Sequence, residues 1–205
     1  MPPLPPITQA LILINVAMFC LDEAFGSGAI RYYLELWPLQ SGNFLPWQLV
    51  SYAFLHGSIE HLFFNMLALW MFGSELERVW GARRYLEFLL ASVVAAAATQ
   101  MLTSFVGGWG NPMVGASGGI YGLLLAYAMM FPNRVIMPLF PPIPMKVKYY
   151  VLAFGLLELF LSWKDTTSGI AHFAHLGGML GGWLMIRYWR GQPPFKSRRG
   201  PRRRS

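Results

Sequence analysis

Ser117 lies in the run Gly115-Ala116-Ser117-Gly118-Gly119, and His175 lies further on in Ala174-His175-Leu176-Gly177-Gly178, each inside a mostly apolar stretch. A neutral imidazole within hydrogen-bond reach of a serine can take its proton and turn the oxygen into a nucleophile. Ionisable side chains at bilayer depth are costly, and they mark function by default. The pair therefore implies acyl transfer, and peptide-bond hydrolysis in particular, carried out inside a membrane.

A second polar pair stands in the run His61-Leu-Phe-Phe-Asn65. Residues four apart share a helix face, so His61 and Asn65 point the same way among apolar neighbours. Such residues serve either as interhelical glue or as donors in a site. Ser117 follows the Gly-rich segment 106–115 and opens the next apolar stretch. Free N–H groups cluster at a helix start, and the dipole there favours negative charge. The expected oxyanion donors are thus the Ser117 backbone N–H, His61 and Asn65. Asp165 and Glu158 have no local spacing that ties them to His175. The reading is therefore a two-residue Ser117–His175 dyad, with Tyr121, one turn after Ser117, available to stack on the imidazole. No cofactor and no metal is expected.

These residues need elements to hold them. The chain has 205 residues, 55% hydrophobic and 12% charged, against about 25% charged in soluble domains. The mean hydropathy is +0.43. The apolar stretches predict helices at 7–26, 57–76, 84–105, 117–131, 149–163 and 170–190, close to the ~20 residues that span a bilayer. The expected fold is all-α, a polytopic six-transmembrane-helix bundle. It is divided into a membrane domain at 1–190 and a basic tail at 191–205, with no room for a separate soluble domain. The first apolar run lacks a basic flank and an Ala-x-Ala site, so it reads as an uncleaved span. The Gly pairs 115/119, 118/122, 177/181 and 178/182 permit close helix approach. Cys20 is the sole cysteine and reads as a small hydrophobe.

With six spans, fourteen of the 16 Lys and Arg residues fall on the side of the termini, and only Arg31 and Lys164 on the other. By the positive-inside tendency both termini are cytoplasmic. The tail 187–204 reads as a topology anchor that meets anionic headgroups, not as a nucleic-acid binder, because past Trp189 Phe195 is its only aromatic and no folded binding module surrounds it. Segment 27–47, with Tyr32, Tyr33, Trp37 and Trp47, reads as an interfacial element in the outer leaflet.

His61-x-x-x-Asn65, Gly115-Ala-Ser117-Gly118 and Ala174-His175-x-x-Gly178-x-x-x-Gly182, in this order, resemble the signature of the rhomboid intramembrane serine proteases. The resemblance covers nearly the whole chain. It implies a bacterial six-span fold in the inner membrane and oxyanion donors at His61 and Asn65. It also implies Ser117 as nucleophile and His175 as base, supported by Tyr121, Gly115, Gly118 and Gly178. It implies single-pass transmembrane proteins as substrates, with small residues before the cut. Glu77-x-x-x-Gly81 matches a structural motif of the family. Trp47-Gln48 departs from the family's Trp-Arg pair, which puts a loop-shaping role there in question. His172, without the matching glycines, is expected to be secondary or structural.

Other readings are weaker. Gly115-x-Ser117-x-Gly119 also fits a nucleophile elbow, but that needs a strand before it in an alternating α/β chain. A zinc site lacks His-Glu-x-x-His, and no carboxylate is placed to complete one, since Glu60, beside His61, turns away from the Asn65 face. A transporter would show an inverted repeat in hydropathy. The alternative of another class is a catalytically silent rhomboid-like protein that binds transmembrane clients. Such a protein would be expected to lack the nucleophile or base present here.

Overall fold

The structure, a computed structural model, describes residues 3–26, 28–108, 111–138, 142–164 and 172–195. It is predominantly helical. Helix α1 spans Pro6–Phe25, α2 Ala29–Leu34, α3 Gln48–Ser51, α4 Ile59–Ala68, α5 Ser74–Trp80, α6 Ala82–Gly107, α7 Ser117–Met130, α8 Val147–Lys164 and α9 His172–Trp189. One π turn, Leu69–Gly73, joins α4 to α5. Strands β1 (Val135–Ile136) and β2 (Met145–Lys146) form a small antiparallel hairpin, with Val135 opposite Lys146.

Helical stretches occur at all six predicted positions. Among the described residues, however, only α1 and α6 are long and apolar enough to cross a membrane, and α7 is apolar but shorter. The others are diluted by polar residues: α8 carries Lys148, Glu158 and Lys164, and α9 carries His172, His175 and Arg187. The apolar surface faces outward as well as inward. Leu13, Phe63, Leu102 and Leu156 are all more than half exposed.

The centre of the fold is a glycine contact. A Cβ on Gly178 of α9 would overlap the carbonyl of Gly118 on α7, and one on Gly182 would lie 3.2 Å from Gly122 Cα. The 177/181 face of α9 turns instead to α6, where a Cβ on Gly181 would lie 2.5 Å from Ala95 Cβ. The predicted small-residue pairs thus serve two different helices. Around this contact Leu123, Phe88, Tyr85 and Leu76 are fully buried.

Glu77 has a clear structural task. Its carboxylate is buried and accepts from the backbone N–H groups of Ile7 (3.0 Å) and Thr8 (2.7 Å) and from Thr8 Oγ1 (2.7 Å). It therefore caps the start of α1, whose N-cap Pro5 offers no side-chain cap, and its charge suits that end of the helix dipole. Gly81, at φ +76°, ends α5 and lets the chain turn into α6.

Gln48, which stands where an arginine was expected, is completely buried. Its Oε1 accepts from Leu45 N (3.1 Å), and its Nε2 donates to Tyr33 O (3.3 Å). A neutral amide, with an acceptor at one end and donors at the other, holds the 33–45 loop to α3. Trp47 Nε1 donates to Tyr33 O at 2.8 Å and Trp37 Nε1 to Tyr32 O at 3.0 Å. The loop also reaches the segment before Ser117: Leu36 and Met113 exchange backbone hydrogen bonds of 2.9 and 3.0 Å.

Candidate active site

Ser117 is the first residue of α7. The residue two before it, Gly115, has φ +125° and donates its N–H to Tyr52 O at 3.0 Å. Tyr52 is itself pinned, because its hydroxyl donates to Val93 O on α6 at 2.8 Å. A Cβ at Gly115 would come within 2.7 Å of His61 Cε1 and 2.8 Å of His61 Nε2. Both the backbone angle and the imidazole therefore demand glycine here. The same packing shows that His61 lies directly against the serine turn.

His61 is held from below. The side chain of Ser58, the N-cap of α4, accepts from His61 N at 3.2 Å, and Gly57 N donates to His61 Nδ1 at 3.4 Å. An acceptor role at Nδ1 leaves the proton on Nε2, the nitrogen that faces Gly115. Asn65, one turn on, is buried with its Nδ2 unpaired among the described residues. A buried unpaired donor is costly.

His175 Nε2 stands 2.8 Å from Ser117 Oγ. The two residues come from α9 and α7, and the Gly118–Gly178 contact brings those helices together one turn from His175. Tyr121 lies flat on the imidazole, with ring centroids 4.2 Å apart and planes 8° from parallel. The stacking partner inferred from helix periodicity is thus in place.

One neighbour of His175 was not anticipated. Glu158 on α8 is buried, and its Oε2 lies 2.6 Å from His172 Nδ1 and 3.1 Å from His175 Nδ1. Tyr121 Oη donates a short hydrogen bond to Glu158 Oε1. The expectation that no carboxylate approaches the histidines is corrected. Three helices converge on Glu158, and sequence separation hid that convergence. The approach to His175 Nδ1 is close but out of line with the N–H direction, so Nδ1 has no aligned hydrogen bond. His172, expected to be secondary, is buried and bonded to this carboxylate. Asp165, the other carboxylate weighed, lies outside the described residues. Atoms of Glu158, His172 and His175 fall within 4.8 Å of one another, so the donor types of a three-ligand metal site are present. Tyr121 and His172 already hydrogen-bond this carboxylate.

A sequence profile of the Rhomboid domain matches residues 44–191 of this chain, a range that includes every site residue above. The chain belongs to the rhomboid family. Among curated relatives it is 30% identical over 186 residues to the rhomboid protease GlpG of Yersinia pestis (strain Pestoides F). It is 28% identical over 186 residues to that of Yersinia enterocolitica serotype O:8 / biotype 1B (strain NCTC 13174 / 8081). Both alignments cover 90% of this chain and 62% of the relative, so the chain spans about 62% of the length of these proteins.

Proposed function

We propose that this chain is an intramembrane serine endopeptidase that cleaves transmembrane segments of single-pass membrane proteins. Ser117 is the nucleophile and His175 the base. His61, Asn65 and the Ser117 backbone N–H form the oxyanion hole. The observation that carries the reading is the 2.8 Å contact between His175 Nε2 and Ser117 Oγ, with Tyr121 stacked on the same imidazole. The family membership supports it, since the relatives above are named rhomboid proteases. It needs no cofactor.

In this reading the chain crosses the bilayer six times, as α1, α4 with α5, α6, α7, α8 and α9. Residues 1–190 form the membrane domain and 191–205 a basic cytoplasmic tail. Both termini face the cytoplasm, in a bacterial inner membrane. The outward-facing apolar side chains support a lipid surround. The substrate helix arrives sideways from the lipid near the outer leaflet, past α8. It must unwind locally, because helical carbonyls are engaged in their own hydrogen bonds. Glycine or proline near the cut lowers that cost, and small residues precede the scissile bond.

The chemistry then follows. Ser117 Oγ bonds to the substrate carbonyl carbon while its proton passes to His175 Nε2. The displaced electron pair settles on the carbonyl oxygen, facing His61, Asn65 and the Ser117 N–H. The C–N bond breaks as Nε2 returns the proton to the leaving amine, and water repeats the sequence to release the acyl group.

The test is incubation of the purified protein in detergent with a labelled single-pass substrate, beside Ser117→Ala. Product from the native protein and none from the variant is expected. No product from either, together with no labelling of Ser117 by a fluorophosphonate, would move the reading to a client-binding protein. Labelling without cleavage would mean that the substrate was the wrong one.

A further inference from the structure

The dyad explains Ser117 and His175 but leaves a buried carboxylate unassigned. Glu158 is 6% exposed, and its Oε2 lies 3.1 Å from the one imidazole nitrogen of His175 that faces away from Ser117. For Nε2 to accept from the serine, the neutral ring must carry its proton on Nδ1. A carboxylate at that distance favours this tautomer over the other. It also faces the imidazolium formed when Nε2 takes the serine proton. Such a charge gains most from a partner where water is scarce.

The carboxylate is also held in place. Tyr121 donates to Oε1, and His172 Nδ1 meets Oε2 at 2.6 Å. Tyr121 therefore does two jobs at once, since its ring covers His175 and its hydroxyl orients Glu158. His172 gains a role that its position in the sequence did not suggest. The present misalignment of the Nδ1–H toward Oε2 is compatible with action in the transition state, because catalytic hydrogen bonds are often poorly aligned before the reacting complex forms.

We propose that Glu158 is a positioning residue for His175, placed by Tyr121 and His172 so that Ser117, His175 and Glu158 act as a charge-stabilised triad across three helices. This rests on the proteolytic reading of the site. The balance of the reaction is unchanged: Glu158 neither gains nor loses a proton, and the serine proton still travels through Nε2 to the leaving amine.

Glu158→Gln tests it, because glutamine keeps the shape and one carbonyl acceptor but removes the charge. The native protein and Ser117→Ala run beside it, with cleavage kinetics, fluorophosphonate labelling rate and thermal unfolding measured on each. We expect kcat to fall on the order of 10²-fold, short of the ~10⁴-fold lost when an in-line triad carboxylate is amidated. KM should stay within about threefold and the melting temperature should hold. Labelling of Ser117 should slow in parallel with kcat, and Glu158→Asp, which restores the charge, should recover part of the loss. A kcat within threefold of native would overturn the proposal, as would a loss of kcat that only tracks a lost fold. Should Glu158→Gln fail to insert, His172→Gln gives the same reading through the carboxylate's anchor: a lower kcat at constant KM supports it, and native kinetics overturn it. If the native protein showed no Ser117-dependent product, the proteolytic reading would fall first, and this proposal with it.

Discussion

Replacing Gly178 with alanine should separate the two halves of the active site. A Cβ at Gly178 would overlap the Gly118 carbonyl oxygen and lie 2.7 Å from its carbon, where ordinary contact begins at 3.4 Å. Both neighbours are backbone atoms in helices, so neither can swing aside. The carbonyl oxygen is the nearer atom, so the helices must part by more than about 1 Å, which would stretch a 2.8 Å Ser117–His175 contact past ~3.5 Å, beyond a good hydrogen bond. A misplacement of about 1 Å costs catalysis on the order of 10²-fold. Overpacking costs about 1–3 kcal/mol of stability, offset in part by the ~1 kcal/mol that alanine gains over glycine in a helix. Gly155 on α8 is the control, since its nearest neighbour would be Met179 Sδ at 3.8 Å. Gly155→Ala should be neutral or stabilising. The assay is thermal unfolding in detergent together with cleavage of a labelled substrate. A Gly178→Ala protein that cleaves at the native rate would refute the argument that this close contact sets the Ser117–His175 distance.

Two further outcomes follow from the site. Asn65→Ala should lower kcat by about 10²–10³-fold, the cost of one oxyanion donor, with little change in KM; a change confined to KM would show that Asn65 binds substrate instead. His56, in the loop before α4, is buried with neither ring nitrogen paired among the described residues. Burial first, and then the neighbouring His61, lower its pKa to about 4 from an ordinary 6.5. A depressed histidine favours folding above its unfolded value, and that contribution is lost as pH falls from about 6.5 through about 4. Unfolding followed between pH 7 and pH 4 should therefore show declining stability, and His56→Phe should flatten the decline; an unchanged slope would exclude His56 as its source.

Much of the site was legible before the fold was known, because its chemistry is written in local runs. Helix periodicity alone put His61 with Asn65 and Ser117 with Tyr121, since four residues make about one turn. The contribution of Gln48 was not legible. A buried amide that holds a loop looks the same in sequence as an exposed one, and only burial and partners distinguish them. Glu77 had been marked by its spacing to Gly81, yet its task, capping the start of α1, depends on a contact some 70 positions away along the chain.

The residue types and short spacings by themselves determined the helical character, the candidate Ser117–His175 pair and the glycine faces, because apolar periodicity and i, i+4 geometry act within one element. Tertiary structure alone decided which glycine face meets which helix, and it alone brought Glu158 to His175. Contacts between α7, α8 and α9 depend on packing in three dimensions, and no spacing along the chain encodes a carboxylate 3.1 Å from an imidazole on another helix.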